Sequence, residues 1–381
     1  MSQSSDSVAV YGLSTEGYQI GAKLASKGYE VFIVDENLGT GMILRPQLAA
    51  DYSELRELLS DEPLLDIKSG RDCISKSKVL FFAPKLRRNE EDVLSEVKSR
   101  LNDLAKNITS GSVILFCLPL GIFGSKEIIE RIEHASGLSS QKDFAFVYAP
   151  LEGGKPTVFG TDRKIDDHLQ TIEAAGFSME ISTVSKAEVM HAQKLLARYS
   201  VLASTFEAAK RLTMLGFESP REYKQIFADD LGSLLFDLRL LVESVETGDP
   251  ILYLGSGSLK SVEGYSRFLV ERIRELVKSR DLKASRLKIM LFTDSDALEM
   301  RGDKILMARG VQERLRDFFS DIEYLNIMKE DFSFPTGMEK INLMVFLSGS
   351  TEQKLTQLYE DQISMTKSQV IRANLPVEFV G

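Results

Sequence analysis

Six residues near the start of the chain, Gly12-Leu13-Ser14-Thr15-Glu16-Gly17, have the types and the spacing to hold a dinucleotide. They follow the apolar run SVAVY and precede an amphipathic stretch over residues 18–26, which puts a glycine-bearing turn between a strand and a helix. Gly12 permits the sharp turn, and Gly17 permits close packing of helix on strand. The helix N-terminus offers unbonded N–H groups and the positive end of a dipole to a pyrophosphate. Ser14 takes the place of the second glycine in GxGxxG, so its Cβ and hydroxyl either crowd the pyrophosphate or donate a compensating hydrogen bond. Asp35 closes the next apolar run, YEVFIVD. A carboxylate there accepts from a ribose 2′-OH and repels a 2′-phosphate, so the expected cofactor is NAD rather than NADP.

Other chemistry has little to work with. The two cysteines, Cys73 and Cys117, lie in or near apolar stretches with neither CxxC nor Cys/His spacing, so no disulfide framework and no zinc site can be read. His134, His168 and His191 form no HExxH-like pair, and each is expected at the surface. A formal net charge of −9 argues against a nucleic-acid partner. The N-terminus lacks the basic and apolar segments of an export signal, and no apolar run reaches the ~18–20 residues of a membrane span. A cytoplasmic protein with no membrane partner is the expectation.

Elements of the right kind surround these residues. The length of 381 residues calls for two or three domains at about 100–200 residues each, and 43% hydrophobic with 27% charged residues is ordinary globular composition. Further strands are expected at 78–83 (KVLFFA), 112–118 (SVILFCL) and 144–148 (FAFVY), with helical patterns at 91–105 and 125–134 between them. Such alternation makes a doubly wound parallel sheet, an N-terminal Rossmann domain over residues 1–184. Long helices follow at 185–215 and 222–245. GDP and GSGS at 248–258 punctuate the pattern, and another helix runs over 262–278, giving a central long-helix domain at 185–284. A strand at 287–292, a helix at 303–319 and strands IEYLNI and INLMVFL around a loop with Phe334-Pro335-Thr336-Gly337 form a smaller C-terminal α/β, Rossmann-like domain at 285–381.

The order of parts resembles the nucleotide-sugar dehydrogenases of the UDP-glucose and GDP-mannose type, within the 6-phosphogluconate dehydrogenase-like superfamily. The likeness rests on YSELRELL (52–59), VLFFAPKL (79–86), FCLPLG (116–121), FVYAPLEGG (146–154) and the helix HAQKLLARYSVLASTFEAAKRLTMLGF, with Glu207 and Gly216 at its end. By that resemblance Ala83, Pro84 and Cys117 face the cofactor, and the long helix builds a homodimer. Arg301, in KIMLFTDSDALEMRGD, serves a nucleotide-sugar ligand. The resemblance implies a cysteine thiolate that carries the aldehyde to a thioester. The matching loop here is Gly232-Ser233-Leu234-Leu235-Phe236-Asp237-Leu238-Arg239, with Leu234 at the cysteine position and one residue missing. The family's loop glutamate falls on Leu151, with Glu152 one residue away. Its loop threonine falls on Cys117, and its helix lysine on His191 or Lys194.

Three readings stand. One is an NAD-dependent dehydrogenase limited to a single two-electron hydride transfer, with Lys194 and Glu152 as candidate catalytic groups. Another is a non-catalytic nucleotide-binding relative, and the third is a structural or regulatory partner that binds nothing small.

Overall fold

The computed structural model describes residues 7–61, 63, 65–86, 93–177, 180–328, 341–365 and 368–380. The chain divides into two compact units. The first runs to Leu195 and includes Leu240–Val245 and Leu298–Arg301. The second takes Leu196–Arg239, Glu246–Ala297 and the remainder from Gly302.

In the first unit the apolar runs become strands β1 (Ser7–Tyr11), β2 (Glu30–Asp35), β3 (Thr40–Leu44), β4 (Ile67–Ser69), β5 (Val79–Phe82), β6 (Ser112–Phe116) and β7 (Phe144–Tyr148). Short strands β8 (Leu151–Glu152), β9 (Lys155–Pro156) and β10 (Gly160–Thr161) follow. Helices α1 (Thr15–Ser26), α2 (Pro46–Asp51), α3 (Leu55–Ser60), α4 (Gly70–Lys76), α5 (Val93–Ala105), α6 (Gly124–Ser136) and α7 (Leu169–Ala174) connect them. The sheet order is β10-β7-β6-β5-β1-β2-β3-β4. Strands β7, β6, β5, β1 and β2 are parallel, and β10, β3 and β4 pair antiparallel at the two edges. Parallel strands are covered on both faces, which is why VLFF, VILF and FAFVY are apolar throughout and wholly buried. The chain leaves β1 toward β2 and returns on the other side as β5, so the winding reverses between β1 and β5. A crevice opens at their C-terminal ends.

The centre of this sheet is aromatic. Tyr11 stacks on Phe82 with ring centroids 5.5 Å apart, Phe82 on Phe116 at 5.2 Å, and Phe116 meets Phe146 at 6.0 Å. The register pairs Tyr11 with Phe82 and Phe82 with Phe116, so the row crosses four strands and ties down the ends that carry the crevice.

The second unit holds a parallel sheet of its own. Its strands are β11 (Leu287–Thr293), β12 (Ile322–Asn326), β13 (Ile341–Phe346) and β14 (Ser368–Arg372), with β15 (Glu378–Val380) antiparallel, in the order β12-β11-β13-β14-β15. Its helices follow α8 (Val184–Met214), which begins in the first unit. They are α9 (Ala228–Gly232), α10 (Leu235–Ser244), α11 (Pro250–Ser279), α12 (Asp303–Arg316) and α13 (Gly349–Met365). The α/β class with a long-helix region matches the expectation. Two details differ. The stretch 222–245 is no single helix, because Ser233 is extended and Leu234 takes a left-handed φ of 65°, which breaks it into α9 and α10. The GSGS segment, expected to punctuate, lies inside α11: Asp249 caps that helix, Pro250 opens it, and Gly255 and Ser258 are buried along it. Each helical glycine costs about 1 kcal/mol, and burial of Val262, Tyr265, Leu269 and Ile273 on the same helix offsets that. The Phe334–Gly337 loop lies outside the described residues.

Phe82 is fully buried at the middle of the aromatic row. Phe82→Ala is expected to lower stability by about 3–5 kcal/mol, read as a drop in the denaturant midpoint at unchanged slope.

Candidate functional site

The glycine-bearing turn sits at the reversal of winding, as its strand-to-helix position requires. Gly12 has a φ of 121°, and a Cβ there would lie 2.3 Å from the Pro84 Cα, so only glycine lets the loop pass Ala83 and Pro84. The Ser14 hydroxyl is spent within the turn. The residue is fully buried as the N-cap of α1, its Oγ donating to the Ala83 carbonyl (2.6 Å) and accepting from the Gly17 amide (3.1 Å).

Three amides of the turn have partners already. The Gly12 amide donates to the Val34 carbonyl (2.9 Å), the Leu13 amide to Glu36 Oε2 (2.8 Å) and the Thr15 amide to the Leu298 carbonyl (2.9 Å). Residues 298–301 belong to this same unit, and two more bonds fasten them: the Met300 amide donates to Glu16 Oε2 (2.9 Å), and the Leu86 amide to the Met300 carbonyl (2.7 Å). At Leu13 and Thr15 the cradle does not fit a pyrophosphate as it stands, because a second acceptor cannot take these two amides without displacing the first.

Beside the cradle the arrangement is more open. Asp35 Oδ1 accepts from the amides of Asn37 (2.7 Å) and Leu38 (3.2 Å), closing the turn after β2, while Oδ2 accepts no bond among the described residues. Its neighbour Glu36, which sequence reasoning passed over, has a side chain only 2% exposed, with Oε1 paired to Arg100 at 3.1 Å. Arg100 also donates to the Lys85 carbonyl (2.6 Å) and to Glu96. A cavity of about 500 Å³ opens here, walled by Tyr11, Val34, Asp35, Arg71, Ile74 and Lys106 among others. Burial pushes the Tyr11 hydroxyl far above its usual range, and the carboxylates of Asp103, Glu36 and Asp35 push it further against the opposing pull of Arg100.

The candidate catalytic residues gather at the ends of β6 and β7. The Leu151 amide donates to the Cys117 carbonyl (3.1 Å), and Glu152 is exposed on the β8–β9 hairpin. The Thr157 amide donates to the Pro150 carbonyl (2.9 Å), its Oγ1 lies 3.0 Å from His191 Nδ1, and Lys194 Nζ donates to its carbonyl. His191, expected at the surface, is 1% exposed: it lies edge-on to Tyr148 on the inner face of α8, and its ring nitrogen satisfies the Thr157 hydroxyl. Cys117 is wholly buried. Burial drives its thiol far above the usual range, Glu16 adds to this and Arg301 opposes it, so Arg301 lies near Cys117 at this end of the first unit. Glu188 is buried too. Its Oε1 accepts from the Ser125 amide (2.7 Å) and Oε2 from the Phe123 amide (3.2 Å) at the start of α6, and burial raises its carboxyl more than these bonds lower it. Among the described residues no group of three or more His, Cys, Asp or Glu is arranged to hold a metal.

The sheet of the second unit repeats the pattern. Its winding reverses between β11 and β13, and Asp294 stands there, just past β11. Asp294 Oδ1 accepts from Ser348 Oγ (3.1 Å). Its Oδ2 accepts from Ser350 Oγ (2.7 Å) and lies 3.3 Å from Lys354 Nζ, so the N-terminus of α13 is met by the chain's own carboxylate. Burial raises this carboxyl, but the hydroxyls of Ser350 and Thr351 and the Lys354 ammonium outweigh it and hold the group below the usual aspartate range. Nothing in the spacing of Asp294 to Ser348 announced this contact.

No model of a known protein family matches the sequence, and no curated protein matches it. Solved structures do match. The UDP-D-ManNAc dehydrogenase from Pyrococcus horikoshii superposes with a TM-score of 0.69, covering 97% of this chain and 95% of that one at 14% identity. The UDP-N-acetyl-mannosamine dehydrogenase from Staphylococcus aureus gives 0.61 over 97% and 94% at 16% identity. The UDP-glucose dehydrogenase from the archaeon Pyrobaculum islandicum gives 0.60 over 98% and 91% at 14% identity. The chain therefore has the dehydrogenase-like fold of these enzymes. Likeness at such identities speaks for the fold, while the site must speak for the chemistry.

Because folded Asp294 titrates below the 3.8 of an unperturbed aspartate, its contribution to stability is present above that value and is lost as pH falls through the lowered one. Melting curves between about pH 5 and pH 2 are expected to fall more steeply for the parent chain than for Asp294→Asn, the two drawing together at the acid end.

Proposed function

We propose that this chain is a non-catalytic nucleotide-binding relative of the nucleotide-sugar dehydrogenases, keeping their fold without performing hydride transfer. The observation that carries the reading is that two amides of the cradle are spent: the Leu13 amide is taken by Glu36 and the Thr15 amide by Leu298. An NAD held elsewhere would lack the anchor that sets its nicotinamide against a substrate, and orientation of that kind supplies much of the rate in such reactions.

The nucleophile's position supports the same reading. In the proposed correspondence Leu234 replaces the family's cysteine, and it is an aliphatic side chain 6% exposed. Neither of the chain's two cysteines substitutes for it, since both are buried and the Cys117 thiol is held protonated. Lys194 and Glu152 remain the positions where a base would have to be found. Arg301 would then serve the fold beside Cys117 rather than a sugar ligand.

The proposed assembly is a homodimer through the central helices, in a cytoplasmic setting. On and just after α8, Val201, Met214, Leu215 and Phe217 expose 62–76% of their surface, apolar side chains that a second copy would cover. Among the described residues no helix is long and apolar enough to cross a membrane.

Incubation of the purified chain with NAD and a panel of UDP- and GDP-sugars is expected to give no change in absorbance at the nicotinamide band. Reduction of NAD would replace this reading with a single two-electron dehydrogenase. Sedimentation is expected to show a dimer that Val201→Asp with Phe217→Asp converts to monomer at unchanged helix content. A monomeric parent chain would remove the dimer from the proposal.

A further inference from the structure

We propose that the cavity beside Asp35 takes a nucleoside through its ribose diol and without a 5′-pyrophosphate, because residues 298–300 of the chain occupy the pyrophosphate's place. This rests on the nucleotide-binding reading above and names the ligand that the reading leaves open.

The first argument is the supply of donors. A pyrophosphate needs unbonded N–H groups at the start of α1, and those of Leu13, Thr15 and Gly17 are bonded within the unit. The occupant at Thr15 is a carbonyl of a segment pinned at two further points, from Met300 to Glu16 and from Leu86 to Met300. Displacing it breaks all three bonds together and uncovers Glu16, which is 9% exposed.

The second argument is what remains available. At about 500 Å³ the cavity lies within the ~300–1,000 Å³ of small-molecule sites, so it has room for a single nucleoside. Asp35 supplies the contact. Its Oδ1 is spent on the Asn37 and Leu38 amides, which fixes the carboxylate, and its Oδ2 retains lone pairs for adjacent hydroxyl donors. A cis-diol offers two such donors. Val34 and Ile74 give the wall an apolar part, and the Arg71 guanidinium at its rim has the planar shape that stacks on a flat base. Glu36 is unavailable, being divided between Leu13 and Arg100, and this leaves Asp35 as the residue on which selectivity for ribose rests.

The test is calorimetric titration of the full chain with adenosine, 2′-deoxyadenosine and NAD. Adenosine is expected to bind, and 2′-deoxyadenosine at least about tenfold more weakly because one donor to Asp35 is missing. NAD, which is adenosine extended by the pyrophosphate, is also expected to be at least about tenfold weaker than adenosine. Asp35→Asn keeps an oxygen for the turn amides, so it should melt as the parent does while losing adenosine binding. The comparison among the three probes uses the parent chain and stands whether or not that variant folds. NAD binding as tightly as adenosine, equal binding of the deoxy compound, or no adenosine binding would each overturn the inference. Tight NAD binding without turnover would overturn it alone, whereas turnover by an NAD that binds more weakly than adenosine would defeat only the non-catalytic reading.

Discussion

A helix that starts inside a folded unit leaves its first amides without partners, and how those amides are satisfied decides what the unit can hold. At the start of α1 the answer is a carbonyl of the same chain: Thr15 N–H to Leu298, at 2.9 Å. The arrangement around it follows. Met300 reaches Glu16 and Leu86, and Arg301 comes to rest near Cys117. Residues 298–301 thereby become part of the first unit, although the chain on either side of them, up to Ala297 and from Gly302, belongs to the second.

The same requirement is met elsewhere with carboxylates. Glu36 takes the Leu13 amide and Glu188 the first amides of α6, while at the start of α13 Asp294 holds the hydroxyls of Ser348 and Ser350, and Ser348 in turn takes the Thr351 amide. Each is a carboxyl acceptor at the positive end of a helix or at a loop that leads into one, where the dipole and the hydrogen bond act in the same direction. The side chains that close these positions also hold the loops leading into the helices.

What stays open is polar and small. The cavity by Asp35 lies at the reversal of winding between β1 and β5, a position the topology creates whatever fills it. The aromatic row of Tyr11, Phe82, Phe116 and Phe146 holds the strand ends on which that cavity and the cradle are built. Stability and site thus share the same few residues, Tyr11 most directly, since its ring stacks in the row and its face borders the cavity.

Much of this was legible in the order of residues. Apolar runs of four to six residues spaced by amphipathic stretches point to a covered parallel sheet, and Gly12 and Gly17 between a strand and a helix mark its crevice, because these are local constraints of backbone and burial. The ends of α8 were equally plain from periodicity. The break at Leu234 and the continuity of α11 through GSGS were not, since tertiary packing overrode local propensity at both. The site itself was decided only by the tertiary structure. Sequence placed Ser14 at the turn and Asp35 at the strand end, yet whether the amides beside them were free depended on Glu36 turning back toward Leu13 and on Leu298 arriving from far along the chain. A hydrogen bond between residues so distant in sequence has no periodicity and no motif to announce it, so only the folded chain could show that the Leu13 and Thr15 amides were taken.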